Sequence, residues 1–172
     1  MPVVIGFDLG LKSTGYCKMG RSVLTYSSFT CQAKGLAPPG ARFAKFKANL
    51  VEITRPPVDL VVYEKVRRHA GVYAAHAYGG LQALLQLRCL SIEVPIYGVS
   101  PGEFSPTKRR GERQAQATKA KASQVVRDWC TADGRTVLTS TEASGAFAND
   151  DESDAVLIAD WGLRNFERLG LG

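Results

Sequence analysis

Residues 3–16 read VVIGFDLGLKSTGY, and the fold follows from how this stretch is parsed. Val3 to Asp8 is a continuous apolar run with β-branched residues, closed by Gly10, which is the pattern of a buried strand. Asp8 therefore falls at the C-terminal end of that strand. Gly15 to Met19 and Val23 to Phe29 follow as two short runs, with Gly20 and Arg21 between them suiting a tight hairpin. The first three strands are expected to form an antiparallel meander. Further on, Leu60 to Tyr63 is a second fully apolar strand, and it ends in Glu64 as the first ends in Asp8. If these two strands are parallel neighbours, both carboxylates stand at one edge of the sheet.

The remaining segments supply the layers around that sheet. Pro38, Pro39 and Gly40 precede an expected helix from Ala41 to Thr54, with Phe43, Phe46, Leu50 and Ile53 at helical spacing and Pro56 and Pro57 as its stop. Val72 to Leu90 reads as a helix rich in alanine and glycine, with Tyr73, Leu81, Leu84, Leu85 and Leu87 available for packing. Its small residues permit close approach by another helix, within the chain or across a dimer. Val94 to Val99 is a short strand whose Pro95 suits a sheet edge. Ser105 to Thr118, with Pro106, Gly111, many charges and no periodicity, is expected as a mobile loop. A helix from Lys119 to Cys130, a strand at Val137 to Thr141 and a closing helix from Asp151 to Leu169 complete the chain, with Asn149 or Asp150 as the last helix's cap. Ala155, Ile158, Ala159, Leu163 and Phe166 share one face of that helix. No internal repeat is visible. The 172 residues thus read as a single α/β domain with a mixed five-stranded sheet flanked by helices.

Composition excludes several classes. At 45% hydrophobic and 22% charged residues the chain is neither collagen-like nor wholly disordered. A chain of this size buries about 70% of its unfolded surface and needs no disulfide or structural metal to fold. Cys17, Cys31, Cys89 and Cys130 are widely spaced and form no CxxC pair, so they read as reduced thiols. MPVVIGFDLG has no basic segment ahead of an apolar run, and the uncharged stretch Ala70 to Leu87 is too polar to span a bilayer. A cytoplasmic protein with no membrane partner is expected. The formal charge of +6, from 22 Lys and Arg against 16 Asp and Glu, points to a polyanionic partner. Seven basic residues between Ser105 and Arg127 (Lys108, Arg109, Arg110, Arg113, Lys119, Lys121 and Arg127) face the single acid Glu112. Such a cluster suits phosphate contacts, which carry little sequence information.

Asp151 and Asp154 lie three apart at a helix start and share a face. Together with Asp8 and Glu64, four acids from three elements can then converge. Taken singly, Asp8 is also an ordinary turn former, and Asp150, Asp151 and Glu152 are ordinary acids of a helix start. Glu64, directly after VVY, is the one that demands water, a partner or a metal. Convergent hard oxygen donors without Cys or clustered His specify magnesium or manganese. Two such ions ~3.5–4 Å apart activate a water and stabilise the leaving oxygen of a phosphodiester. The reaction class that such a convergence implies is metal-dependent phosphodiester hydrolysis.

Gly6, Asp8, Gly10, Thr14, Gly15 and Tyr16, in IGFDLGLKSTGY, resemble the opening of the RuvC-type Holliday-junction resolvases, whose fold is ribonuclease H-like. Glu64 with Lys65 and Val66 is similar to their second acidic motif, and Asp151 and Asp154 leading into AVLIAD to their last two acids. The resemblance covers nearly the whole chain, though only these three islands are specific. It implies a homodimeric, Mg2+-dependent endonuclease that resolves four-way junctions by paired nicks, with two ions per site and Mn2+ able to substitute. It places the metal-binding catalytic acids on Asp8, Glu64, Asp151 and Asp154, with Asp150 as an alternative to Asp151, and the basic residues at the site on Lys119 and Lys121. Arg67, Arg68, Tyr73, Lys108, Arg109, Arg110 and Arg113 join Lys119 and Lys121 as expected DNA contacts. Bacterial members carry an aromatic three residues after the second acid, where this sequence has Arg67. That departure loosens the junction-specific part of the resemblance and points toward a phage-type or organellar-type relative. It leaves the carboxylate part intact.

Two other classes compete. IGFDLGLKSTG also resembles the first phosphate motif of the sugar kinase, actin and Hsp70 superfamily, but those proteins need two such domains, so no nucleotide cofactor is expected. A noncatalytic branched-DNA-binding protein would keep the basic surface and lose an acid, whereas all four are present. Within the nuclease class, relaxed substrate choice, including flaps or RNA:DNA hybrid, is the alternative to strict junction cleavage. His69 and His76, seven apart, read as surface positions.

Overall fold

A computed structural model describes residues 1–20, 23–32, 38, 40–66, 71–105, 112–131, 136–137 and 147–172. The strands are β1 (Val4–Asp8), β2 (Thr14–Met19), β3 (Val23–Phe29), β4 (Leu60–Glu64), β5 (Ile96–Val99) and the two-residue β6 (Thr136–Val137). The helices are α1 (Ala41–Ile53), α2 (Val72–Ser91), the single turn α3 (Pro101–Phe104), α4 (Glu112–Thr131) and α5 (Asp150–Asn165), followed by a 3-10 turn at Glu167–Leu169. The sheet order is β5-β4-β1-β2-β3-β6. β1, β2 and β3 form the expected antiparallel meander. β4 runs parallel to β1, and β5 parallel to β4 at the sheet edge. β6 extends the expected five-stranded sheet parallel to the far side of β3 and overlaps the strand expected at Val137 to Thr141 at Val137, residues 138–141 lying outside the described residues. The chain has the mixed, helix-flanked sheet of the ribonuclease H-like fold.

Two cores sit on opposite faces of the sheet. On one face Ile5, Phe7, Val61 and Tyr63 pack against Phe46 and Leu50 of α1 and Leu81, Leu85 and Cys89 of α2. On the other, Val4, Met19, Leu24, Leu60 and Val62 pack against α5 and, through it, against Ala122, Val125, Val126 and Trp129 of α4. Because α4 covers the outer side of α5, the buried set of α5 is wider than the single face read from its periodicity and includes Val156, Leu157 and Trp161. All four cysteines are free thiols, three of them buried. Among the described residues no helix is long and apolar enough to cross a membrane.

One expected boundary is corrected. The segment 105–118 is not loop throughout, because the chain is helical from Glu112 onward; residues 106–111 lie outside the described residues. The sequence ERQAQATKAK has strong helix formers but no apolar residue larger than alanine to mark a period, so its helicity is invisible to a hydrophobic pattern. The buried series Thr118, Ala122, Val125, Val126 and Trp129 begins only a turn and a half further on. Of the residues expected to contact DNA, Arg67, Arg68, Lys108, Arg109 and Arg110 lie outside the described residues, and Arg113 falls in the first turn of α4.

Candidate metal centre

Strand parity decides which way the first two acids point. Along β1, Val4 faces α5 while Ile5 and Phe7 face α1 and α2; along β4, Leu60 and Val62 face α5 while Val61 and Tyr63 face the other side. Side chains alternate between faces along a strand, so Asp8 and Glu64 both emerge beneath α5. The parallel register, with Phe7 opposite Tyr63, brings these two strand-terminal residues side by side. A hydrogen bond between their carboxyl groups raises Asp8 and lowers Glu64.

Glycines bring the other two acids in. A Cβ on Gly6 would lie 2.5 Å from the Ala155 carbonyl oxygen and the Ala159 nitrogen, and one on Gly15 would lie 2.0 Å from the Asp151 carbonyl oxygen. No real side chain fits there, so α5 rests its backbone directly on β1 and β2. Asp151, Ala155, Ala159 and Gly162 follow one stripe along α5, and a Cβ on Gly162 would lie 2.8 Å from Val4 and Val62. Asp151 thus heads a stripe of small residues and lands over Gly15, whose antiparallel partner in the sheet is Asp8. Asp154 follows on the next turn.

The start of α5 is fixed by side chains. Asn149 caps it, its Oδ1 accepting from the Glu152 N–H at 3.0 Å. Glu152 is 3% exposed; its carboxylate accepts from the Ser28 hydroxyl at 2.9 Å and from the Ala148 N–H at 2.8 Å. The Asn149 amide donates to Ser28 Oγ at 2.8 Å, closing the network onto β3. On the opposite flank Ser13 hydrogen-bonds Asp151.

The electrostatics show how crowded these acids are. Asp8 is pushed well above the usual carboxylate range by burial first, then by the charges of Glu64, Asp154 and Asp151. Asp154 is pushed up to about 7 by burial and by Glu64, Asp150 and Asp151. Burial raises Asp151, with the Ser13 hydrogen bond opposing, and raises Glu64, with the Asp8 hydrogen bond opposing. The donor set is four carboxylates with no sulfur or imidazole, the chemistry that suits a hard divalent cation. Among the described residues no three His, Cys, Asp or Glu side chains stand close enough to hold an ion without adjustment.

The two lysines expected at the site part company. Lys119 pairs with Asp150 at 2.8 Å, beside the start of α5, and Asp150 is still near enough for its charge to raise Asp151 and Asp154. Lys121 donates to the Phe104 carbonyl at 3.3 Å and lies near Asp160, further along α5. Tyr73, in the first turn of α2, is 76% exposed. Reading the sequence missed Ser13, Glu152 and Tyr78. The buried Tyr78 hydroxyl donates to the Glu64 carbonyl and accepts from the Val66 N–H at 3.4 Å. Only Glu152 left a signal, as an acid three residues after a capping Asn.

No protein-family profile matches the sequence, and no curated protein matches it. Solved structures do. Thermus thermophilus RuvC in complex with a Holliday junction substrate superposes with a TM-score of 0.66 at 18% identity, over 99% of this chain and 98% of that one. A second Thermus thermophilus RuvC structure gives 0.60 at 17% identity, over 98% and 97%. Shared fold over the full length is what this likeness establishes.

Proposed function

We propose that the chain is a divalent-metal-dependent endonuclease of branched DNA that resolves four-way junctions by paired nicks. The observation that carries this reading is the gathering of Asp8, Glu64, Asp151 and Asp154 from β1, β4 and α5 into one mutually destabilised cluster. Like charges packed this way hold one another partly protonated until a cation replaces the protons. The structural neighbours, one of them bound to a Holliday junction, support the same substrate class.

In this reading Asp8, Glu64, Asp151 and Asp154 are the ligands of Mg2+, with Mn2+ able to substitute. The bound metal supplies an activated water and stabilises the leaving oxygen of the phosphodiester. The chain's own work is to hold the ligands. Asp8 and Glu64 would hold the cation side by side at the strand ends, Ser13 orients Asp151, and the Glu152 network anchors the helix turn that carries Asp151 and Asp154. Lys119, beside this cluster, offers its ammonium to the DNA backbone, and Lys108, Arg109, Arg110, Arg113, Arg67, Arg68, Tyr73 and Lys121 extend that contact surface. The protein acts in the cytoplasm, encoded by a bacterium or a phage, with an organellar relative as the alternative.

Paired nicks in a twofold substrate call for two copies of the chain. α2 supports this through its outward face, where Tyr73, Leu87 and Leu90 are 76%, 61% and 75% exposed on either side of Gly79 and Ala83. The deciding experiment is cleavage of an end-labelled four-way junction beside linear duplex, flap, single strand and RNA:DNA hybrid, with Mg2+, with EDTA and with Asp8→Asn. Symmetric nicks in the junction alone, lost in EDTA and in the variant, are expected. Binding without cutting would convert the reading to a noncatalytic junction-binding protein, and equal cutting of all substrates would remove its junction specificity.

A further inference from the structure

The inner face of α2 carries two hydrogen bonds to β4, and they differ in where they land. Gln82 donates to the Tyr63 hydroxyl at 2.9 Å, reaching a side chain one residue before the end of the strand. Tyr78, one turn earlier on the helix, reaches the backbone of the acid itself. Its hydroxyl donates to the carbonyl of Glu64 and accepts from the N–H of Val66. On its other side β4 is held to β5 up to Glu64 opposite Val99, and the Lys65 N–H continues to the Val99 carbonyl at 2.7 Å. Toward β1 the paired register stops at Tyr63. A single phenol thus takes the place of a ladder rung at the point where the strand ends, bridging the residue that bears the carboxylate and the second residue after it.

The residue type is informative. Tyr78 is 5% exposed and lies in the same core as Leu81 and Leu85, where a phenylalanine would fill the space equally well. A buried hydroxyl costs free energy unless it is bonded, and here it is bonded at both its donor and an acceptor position by the chain around Glu64. The helix that carries it cannot drift, because Gly80 receives the Phe43 ring of α1 where a Cβ would lie 2.5 Å away. A tyrosine ring has only two rotatable bonds, so a fixed helix gives a fixed hydroxyl.

We propose that Tyr78 is a positioning residue for the metal centre: by clamping the backbone of residues 64–66 it sets the direction in which the Glu64 carboxylate leaves the strand. The inference rests on Glu64 being a metal ligand. Groups that orient a ligand without touching the ion tune affinity by about tenfold or more.

The test compares Tyr78→Phe with Gln82→Met in the full-length protein. Each removes one hydrogen bond between the same helix and the same strand, and each is expected to lower the melting temperature by about 2 to 4 °C. Mn2+ affinity is measured without DNA, by water-proton relaxation during Mn2+ titration, and the Mg2+ concentration for half-maximal junction cleavage is measured alongside. Tyr78→Phe is expected to weaken Mn2+ binding by about tenfold and shift the Mg2+ requirement in parallel, with junction binding in EDTA unchanged. Gln82→Met is expected to leave all three as in the wild type. Equal shifts in both variants, or none in either, would overturn the proposal and reduce Tyr78 to core packing, as would a wild-type protein that binds no Mn2+. A wild type that binds Mn2+ but cuts no DNA, with the two variants still separated, would remove the nuclease reading and uphold this one.

Discussion

At the scale of single residues, the acids make two measurable commitments. A carboxyl with a higher pKa in the folded chain than in the unfolded one holds its proton more tightly when folded. For Asp154, raised from 3.8 to about 7, that stabilisation is full below about pH 3.8 and is lost as pH climbs through about 7. Asp8 is raised in the same direction. The metal-free protein is therefore expected to melt at lower temperature as pH goes from about 5 to about 8, and Mg2+ is expected to restore what is lost. Asp154→Asn, which keeps the size and removes the charge, should flatten that pH dependence, melt above the wild type in EDTA at the alkaline end, and no longer respond to Mg2+; scanning calorimetry reads all three. At Asp150 the expectation differs, because its partner Lys119 is 42% exposed and pairs at the surface. Asp150→Asn should change stability by less than about 1 kcal/mol and tighten junction binding by freeing the lysine, as a filter-binding titration will show. Asp8 and Glu64 were legible in the sequence because each closes an apolar run, a position where a charge needs a reason. Tyr78 was not, since a tyrosine within an alanine- and glycine-rich helix reads as packing, and only the fold shows that its hydroxyl meets the backbone of an acid.

At the scale of elements, β1 to β4 and α1 were legible because apolar runs, proline stops and turn residues all agreed. α4 was legible only where it packs, since its first turns hold no apolar residue larger than alanine and gave no periodicity to read. The start of α5 was expected at the sheet edge from its acids, but the seating of its backbone directly on β1 and β2 was not legible. Gly6 and Gly15 stood in the quoted motif as letters of a resemblance, yet their physical role is to let a helix lie against bare backbone. Gly15→Ala puts a methyl 2.0 Å from the Asp151 carbonyl oxygen, and backbone cannot yield as a side-chain tip can. The variant is expected to lose about 1 to 3 kcal/mol or more in urea unfolding. It should also lose its thermal response to Mg2+, because the turn bearing Asp151 must lift. Gly6→Ala strikes the middle of α5 and is expected to cost a similar amount of stability.

At the scale of the whole molecule, the outward face of α2 is the surface that the fold leaves unexplained by its own packing. Among the described residues nothing lies within 4 Å of where a Cβ on Gly79 would stand, so they give no reason for a glycine in the middle of that helix. In an isolated chain Gly79→Leu should raise helix stability by about 0.5 to 1 kcal/mol. In a two-chain assembly packed through this face the same change should drive the halves apart, and sedimentation equilibrium will report the mass. Charge was legible at this scale from the beginning, because the net +6 is matched by one stretch of seven bases, whereas the pairing of Lys119 with a neighbouring acid needed coordinates. The wedging of α5 onto bare strands also has a temporal side. A ribosome makes β1 and β4 first, and a nascent chain that has reached them carries two acids and nothing to complete the set. The other two arrive with residues 150–165, after every strand of the sheet has been synthesised. On the proposed reading, the order of translation itself withholds the complete set of four carboxylates until the helix that supplies the last two has been made.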